Sequence, residues 1–141
     1  MTGASESEGS ILIVEDDAAT RDALSIILED EGFRVTTAAN GREAIDLLQG
    51  SYRPNVILLD LMMPVMDGWQ FRAAQKQLPS VESIPVVVLS ADGSIRQKAS
   101  AMGAATYLQK PVEIADLLEA LQGCIDEGDP QGPVEGRDPM D

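Results

Sequence analysis

The sequence of 141 residues contains no histidine and only one cysteine, Cys124. The absence of histidine removes the side chain that most often acts as a general acid or base near neutral pH. A single cysteine cannot form an internal disulfide, and such a composition is typical of proteins of the reducing cytoplasm. Without histidine and with one cysteine, the chain also lacks the ligands for zinc sites built from these residues. Any bound metal ion must therefore have oxygen ligands, as Mg²⁺, Ca²⁺ and Mn²⁺ prefer.

Basic residues are also scarce, because 10 lysines and arginines face 24 aspartates and glutamates, for a net charge of −14. There is no run of lysine and arginine, so the sequence predicts neither direct nucleic-acid binding nor attachment to an anionic membrane surface. No apolar run approaches the ~18 residues of a membrane span, and the acidic N-terminus is unlike a signal peptide. We therefore expect a cytoplasmic protein whose partners are other proteins.

The length of the chain predicts one folded domain, over residues 10–122, with flanking segments of different composition. Residues 1–9 are small, polar and acidic, which favours a flexible N-terminal segment. Residues 123–141 combine glycine, proline and six acids without helical periodicity, which favours a flexible acidic tail.

Five apolar or β-branched runs alternate with five segments of helical periodicity. The predicted strands are Ile11–Val14, Phe33–Ala38, Val56–Asp60, Val86–Ser90 and Ala105–Gln109, and the predicted helices cover about 18–31, 41–48, 69–78, 94–102 and 113–125. This strict alternation predicts a doubly wound α/β fold, with a five-stranded parallel sheet and helices on both faces. The expected strand order is 2-1-3-4-5, as in flavodoxin-like folds.

Polar side chains stand at the carboxyl ends of four of these five strands. Glu15 and Asp16 follow the first strand, Asp60 ends the third, Ser90 ends the fourth and Lys110 follows the fifth. Because the carboxyl ends of parallel strands lie at one edge, we expect these side chains to meet in the crevice beside the first and third strands. Each residue alone also suits an ordinary role, such as an acid at a helix N-terminus or a surface lysine. Their coincidence favours a functional site.

The predicted site combines crowded carboxylates with a hydroxyl and an ammonium group. Carboxylates this close raise one another's pKa values, so a cluster that functions at neutral pH needs a counter-cation, and Mg²⁺ suits oxygen ligands. A metal ion, Ser90 and Lys110 together suit the oxygens of a phosphoryl group, while Asp60 attacks the phosphorus in line. The sequence therefore predicts phosphoryl transfer to Asp60.

Four segments together form a highly specific sequence pattern, because all of them occur in this order and at these spacings. They are Ile11–Asp17, Asp60–Gly68, Ser90–Ala91 and Lys110–Pro111. Over about residues 10–122 the chain resembles the receiver domain of bacterial two-component response regulators, of the stand-alone type. The resemblance implies a phosphoacceptor signalling domain and not an enzyme with a separate substrate. The implied partners are a sensor histidine kinase or a histidine phosphotransfer protein, and a downstream protein that the sequence does not identify.

The resemblance also implies roles for the residues whose oxygen atoms suit a metal ion. It implies that Asp60 is the phosphoacceptor and that Mg²⁺ is bound by Glu15, Asp16, Asp60 and the backbone carbonyl of Met62. Glu15 stands where an aspartate is commoner in the family, and it is expected to act partly through water. The Met62 side chain cannot orient an attacking water molecule.

Ser90 and Lys110 are implied to contact the phosphoryl oxygens, and Ser90 and Tyr107 to form the switch. In family members that switch in this way, the ring at the position of Tyr107 turns inward as the hydroxyl moves toward the phosphate. The fourth helix, fifth strand and fifth helix form the surface expected to bind partners or to form a homodimer, although the acidic fifth helix departs from the basic pattern of one class of receiver dimers. Asp92 is a further carboxylate that can orient water.

Three alternatives stay open at this point. A haloacid-dehalogenase-like phosphatase also uses an Mg²⁺-bound aspartate nucleophile, but it needs that residue at the end of the first strand with an acid two residues later, and Glu15–Asp17 fits this poorly. A flavodoxin-like cofactor binder needs a phosphate-binding loop rich in Ser, Thr and Gly at the same place, where three acids repel phosphate. A receiver-fold scaffold that is not phosphorylated does not need the complete site that this chain contains.

Overall fold

The computed structural model describes residues 9–63 and 65–128 of the chain. Within them, five strands and five helices alternate. The strands are β1 (Ser10–Val14), β2 (Arg34–Ala38), β3 (Val56–Asp60), β4 (Val86–Ser90) and β5 (Thr106–Gln109), and the helices are α1 (Ala18–Asp30), α2 (Gly41–Gln49), α3 (Gly68–Lys76), α4 (Ile95–Ala101) and α5 (Ile114–Gly128). Residues 1–8 and 129–141, which hold most of the predicted flexible segments, lie outside the described residues. None of the described helices has the length and apolar character needed to cross a membrane.

The strands pair in parallel, in the order β2-β1-β3-β4-β5. This arrangement confirms the predicted doubly wound α/β fold and its strand order. The register places Val14 beside Leu59 and Asp60 beside Leu89, so β1, β3 and β4 end at nearly the same level. The residues that follow these strands therefore lie along one edge of the sheet.

Alternate residues of the central strands are buried on opposite faces of the sheet, and every residue of β3 and β4 is buried. On one face, Val14 and Leu59 belong to a cluster with side chains from α2, α3 and α4, among them Phe71. On the other face, Ile13 and Leu58 pack with side chains from α1 and α5. Burial on both faces explains why these strands are apolar throughout and why their polar groups stand at the ends.

Side-chain caps fix the points at which three helices begin. Asp17 caps α1, as its position before the helix predicted, and Asn40 caps α2. Asp67 forms a capping box with Gln70 at the start of α3. Gly32, just after α1, has a φ of 101°, which glycine adopts without the steric penalty of a side chain. These boundaries are therefore set by local sequence.

The end of α5 differs from the prediction. The predicted tail begins at residue 123, but α5 continues to Gly128. Leu121 and Cys124 are both buried, so the apolar stripe of α5 extends past the glycine at position 123.

The loop between β3 and α3 follows a tightly packed path. The Gly68 backbone N–H donates to the Leu61 carbonyl at 2.9 Å. A Cβ added to Gly68 would lie 2.9 Å from the Leu61 Cα, and one added to Gly41 would lie 2.8 Å from the Met66 Cγ. Val65 has a φ of 70°, a conformation that β-branched residues rarely adopt. Close packing on both sides therefore holds this loop in a strained conformation directly after β3.

Replacing Gly68 with alanine tests this packing. We expect Gly68→Ala to lower the free energy of unfolding by about 1–3 kcal/mol, because the new methyl group would overlap the Leu61 backbone. Gly123→Ala is the matched control, since nothing lies within 4 Å of its added Cβ, and alanine should stabilise the helix by up to ~1 kcal/mol. Urea unfolding measures both effects, and equal stabilities of the two variants would contradict the close approach at Gly68.

Candidate functional site

Three carboxylates meet at the edge where β1 and β3 end. Glu15 and Asp16 follow β1, Asp60 is the last residue of β3, and oxygen atoms of the three side chains lie within 4.8 Å of one another. Glu15 and Asp60 are buried, with 1% and 4% of their surface exposed, whereas Asp16 is exposed. The structure thus brings together three acids that the sequence analysis selected from two separate segments.

Lys110 brings a positive charge to the same edge. It follows β5, its backbone N–H donates to the Ser90 carbonyl at 2.9 Å, and the Lys110–Pro111 peptide bond is cis. The Lys110 Nζ lies 3.4 Å from Glu15 Oε1 and 3.6 Å from Asp60 Oδ2. Lys110 therefore contacts both buried carboxylates and balances one of their two negative charges.

The ionisation of Asp60 is strongly disturbed. Burial and then the hydrogen bond and charge of Glu15 raise the pKa of Asp60 to about 7, although Lys110 and the Met62 backbone N–H act in the opposite direction. One ammonium group is thus insufficient for two buried carboxylates. A divalent cation beside them would favour the ionised form of Asp60, which is its nucleophilic form.

Backbone N–H groups orient the two buried carboxylates. The Met62 N–H donates to Asp60 Oδ1 at 3.2 Å, and the Asp17 N–H donates to Glu15 Oε2 at 3.1 Å. The Arg21 guanidinium donates to the Glu15 carbonyl at 3.0 Å and fixes the turn between β1 and α1. Met62 itself is 63% exposed, so its contact with the site is made by its backbone.

The three carboxylates fit a hard divalent cation. Mg²⁺ prefers carboxylate oxygens and keeps several of its own water molecules, which the exposed position of Asp16 allows. The chain contains no histidine that would supply a competing nitrogen ligand. The donor set of Glu15, Asp16 and Asp60 is therefore suited to Mg²⁺ by charge and by ligand type.

Ser90 is buried at the end of β4, next to this cluster. Its Oγ accepts a hydrogen bond from the Asp92 backbone N–H at 3.0 Å, which is an ordinary role for a hydroxyl at a strand end. Because the oxygen is the acceptor in this bond, the hydroxyl proton remains free to be donated to another oxygen. The observed contact is therefore compatible with a second role for Ser90.

The carboxylate of Asp92, which is predicted to be able to orient water, already has partners within the protein. Its Oδ1 accepts hydrogen bonds from the backbone N–H and the hydroxyl of Ser94, each at 2.9 Å, and its Oδ2 forms an ion pair with Lys98. Lys98 and then Ser94 hold the pKa of Asp92 well below its usual range. Both oxygens are engaged, but Oδ2 keeps a further acceptor position, so the role of Asp92 in orienting water stays a prediction. Lys98 was not predicted to lie near the site, because its only signal in the sequence is its position one helical turn beyond Ser94.

Tyr107 lies on β5, beside Val88 in the register, and is half-buried. Its side chain packs against the apolar cluster that includes Ile95 and Ala99 of α4. Tyr107 therefore lies between the sheet and α4, on the strand that Lys110 follows and beside the strand that ends at Ser90.

Comparison with known proteins indicates one family. Residues 11–122 match the family model of the response regulator receiver domain. A 14.6 kDa uncharacterised protein of Leptolyngbya boryana, from the sodA1 3′ region, is 40% identical over 114 residues, which cover 79% of this chain and 86% of that protein. The response regulator MprA of Mycolicibacterium vanbaalenii is 37% identical over 118 residues, which cover 82% of this chain and 49% of that protein. The chain thus spans about half the length of MprA.

A solved structure shows the same similarity. It is the receiver domain of the sensor histidine kinase PA1611 from Pseudomonas aeruginosa, with a magnesium ion coordinated in its active site cleft. The TM-score is 0.76 at 30% identity, and the match covers 83% of this chain and 97% of that one. The similarity therefore extends over nearly all of that domain.

The raised pKa of Asp60 predicts a loss of stability with rising pH in the metal-free protein. In the unfolded chain this carboxyl ionises near pH 3.8, whereas the folded protein keeps its proton up to about pH 7. The free energy of unfolding should therefore fall as the pH rises from about 4 to about 7. Asp60→Asn removes this fall, and above pH 7 it should raise the free energy of unfolding by about 2 kcal/mol.

Urea unfolding in EDTA at about pH 5 and about pH 8 measures this effect. Asp46→Asn, which changes an exposed acid on α2, is the control and should behave as the wild type does. Saturating Mg²⁺ should abolish the advantage of Asp60→Asn, because the cation compensates the buried charge. A wild-type protein equally stable at both pH values would contradict the raised pKa.

Proposed function

The chain belongs to the response regulator receiver family, and we propose that it works by accepting a phosphoryl group on Asp60. Receiver domains are signalling domains of two-component systems. The observation that carries the proposal is the position of Asp60, which is buried within 4.8 Å of the Glu15 and Asp16 oxygens and 3.6 Å from the Lys110 ammonium. A carboxylate in such surroundings is suited to nucleophilic attack on phosphorus.

The proposed donor is a phosphohistidine of a sensor histidine kinase or of a histidine phosphotransfer protein. The bond between phosphorus and the imidazole nitrogen breaks, a bond from phosphorus to an Asp60 carboxylate oxygen forms, and the imidazole leaves with its nitrogen lone pair. The 141 residues contain no histidine, so the donor group lies outside them. No separate substrate is turned over in this reaction.

We propose that the side chains of Glu15, Asp16 and Asp60 hold Mg²⁺, Glu15 partly through water, with the Met62 backbone carbonyl as a further ligand. The ion, when bound, neutralises negative charge on the phosphoryl oxygens. The Met62 and Asp17 N–H groups hold the Asp60 and Glu15 carboxylates in fixed orientations without the ion. The magnesium ion in the receiver domain of PA1611 supports this assignment.

Lys110 and Ser90 are the proposed protein contacts of the phosphoryl oxygens. Lys110 already lies 3.6 Å from Asp60 Oδ2, so an oxygen attached to Asp60 through phosphorus comes within reach of its ammonium group. Ser90 keeps a hydroxyl proton for donation while its Oγ accepts from Asp92. Both groups stabilise charge that is present after the transfer.

The proposed switch links Ser90 to Tyr107. The added charge, roughly −1.5 to −2, attracts the Ser90 hydroxyl, and Tyr107 packs against the α4 residues that follow the β4–α4 turn. The surface formed by α4, β5 and α5 is therefore the proposed docking surface for a downstream protein. A homodimer through the same surface stays a prediction.

The structural context favours this function over the phosphatase alternative. A haloacid-dehalogenase-like site needs its nucleophile and a second acid at the end of β1. Asp17, the acid available for the second role, instead caps α1 by accepting from the Thr20 backbone N–H at 2.9 Å. A scaffold that is not phosphorylated is an outcome of the experiment below. The cytoplasmic location stays a prediction. The stand-alone type of receiver also stays a prediction, and MprA, in contrast, extends well beyond the matched residues.

Incubation with Mg²⁺ and a small phosphodonor tests the proposal. The wild-type chain should gain the mass of one phosphoryl group, and Asp60→Asn should gain none, because the amide is a poor nucleophile. Asp46→Asn, with the same change at an exposed position on α2, should be modified as the wild type is. An unmodified wild type, or modification of Asp60→Asn, would contradict the proposal and favour the scaffold.

Ser90→Ala tests the switch separately from the transfer. The variant should still be modified on Asp60, but hydrogen exchange at β5 and α4 should no longer respond to beryllofluoride as strongly as in the wild type, because the hydroxyl that senses the phosphoryl oxygens is missing. Ser100→Ala, at an exposed position on α4, is the control. An unchanged response in Ser90→Ala would show that the switch does not depend on this hydroxyl.

A further inference from the structure

Asp92 and Lys98 form an ion pair at the start of α4, close to the proposed phosphorylation site. The Asp92 backbone N–H donates to Ser90 Oγ at 3.0 Å, and Ser90 follows Leu89, the register partner of Asp60. Adjacent strands lie about 5 Å apart, so the Asp92 backbone is within about 10 Å of the Asp60 carboxylate. The ion pair is therefore near enough to influence the charge balance of the site.

The site already has an excess of negative charge. Lys110 pairs with Glu15 and Asp60, and Asp16 is a third carboxylate in the same cluster. A phosphoryl group adds roughly 1.5 to 2 further negative charges. Asp92 has a pKa well below its usual range, so it is ionised throughout the physiological pH range. Without a partner cation, Asp92 would add to the repulsion of a phosphoryl group.

The ion pair also fastens the turn between β4 and α4. Ser94 is the N-cap residue of α4, but its side chain makes no cap hydrogen bond, and its hydroxyl instead donates to Asp92. The helix has only seven residues, Ile95–Ala101. Lys98 therefore ties the first turn of α4 to Asp92, whose N–H in turn holds the Ser90 hydroxyl oxygen.

We propose that Lys98 is a positioning residue of the phosphorylation site, which neutralises Asp92 and so keeps the local field favourable to a phosphoryl group. This role rests on the proposed function of Asp60. Lys98 acts through Asp92 and does not itself contact the phosphoryl oxygens. At about 10 Å, with an effective dielectric constant between that of water and the ~20 of a protein surface, one unpaired charge changes the affinity for a singly charged anion such as beryllofluoride by about threefold to tenfold.

The proposal predicts opposite effects on an anion and on a cation. In Lys98→Met, the unpaired Asp92 should weaken beryllofluoride binding by about threefold to tenfold and should strengthen Mg²⁺ binding. In Asp92→Asn, the unpaired Lys98 should have the reverse effects. The double variant should return both affinities toward the wild-type values. Loss of local structure alone would shift the two single variants in the same direction.

Trp69 fluorescence measures both affinities on the full chain, because Trp69 is 38% exposed in the first turn of α3, just after the β3–α3 loop. Mg²⁺ is titrated alone, and beryllofluoride is then titrated at saturating Mg²⁺. Lys98→Arg retains the charge and should match the wild type. Arg96→Met removes the same charge from an exposed position on α4 and should change either affinity by less than about twofold, because bulk solvent screens it. Circular dichroism checks that each variant is folded.

Shifts of Lys98→Met and Asp92→Asn in the same direction, or no shift in either, would overturn the role of Lys98. The proposed function would still stand after such a result, provided that the wild type binds beryllofluoride through Asp60. A wild type that binds Mg²⁺ but not beryllofluoride would contradict the proposed function instead. The Mg²⁺ titrations of the two variants then still decide whether the ion pair controls charge at the site.

Discussion

The burial of two carboxylates side by side at one edge of the sheet is the constraint on which the site depends. Glu15 and Asp60 lose nearly all of their exposed surface, and this desolvation and their mutual repulsion raise the pKa of Asp60. Lys110 compensates only part of the charge. The uncompensated remainder is expected to destabilise the metal-free protein and to favour a divalent cation at the proposed site, so stability and reactivity would be in opposition here.

The helix α4 connects this charge balance to the rest of the molecule. Its buried residues are Ile95 and Ala99, so apolar packing holds it only along a narrow stripe. At its C-terminal end, the Arg72 guanidinium of α3 donates to the Met102 and Gly103 carbonyls, each at 2.9 Å. The ion pair of Asp92 and Lys98 at its other end lies beside the proposed phosphorylation site. An element that combines narrow apolar packing with polar contacts at both ends can change partners more readily than a strand buried on both faces, which supports the proposed role of α4 in the switch.

Much of the fold follows from sequence patterns because strands covered on both faces must be apolar throughout. The strand Val56–Asp60 has the bounds that its composition predicted, and the alternation of strands and helices leaves few possible topologies. The errors occur at positions where local composition and tertiary packing disagree. Residues 123–128 have the glycine and acid content of a flexible tail. They nevertheless belong to α5, because Cys124 is buried in the apolar cluster on the face of the sheet that α1 and α5 cover. Only the packing of distant segments decides such a boundary.

The sequence by itself determined which chemical groups are available: oxygen ligands without histidine, and acids, a hydroxyl and a lysine at strand ends. Tertiary structure decided which of them are buried and paired. Asp16 and Asp60 carry the same side chain, yet the first is exposed and the second is buried beside Glu15. The sequence gives no sign that Asp92 has a partner, but in the folded chain its carboxylate accepts a hydrogen bond from Ser94 and pairs with Lys98. The physical reason is that ionisation and pairing depend on distances between segments, which the spacing of residues along the chain does not contain.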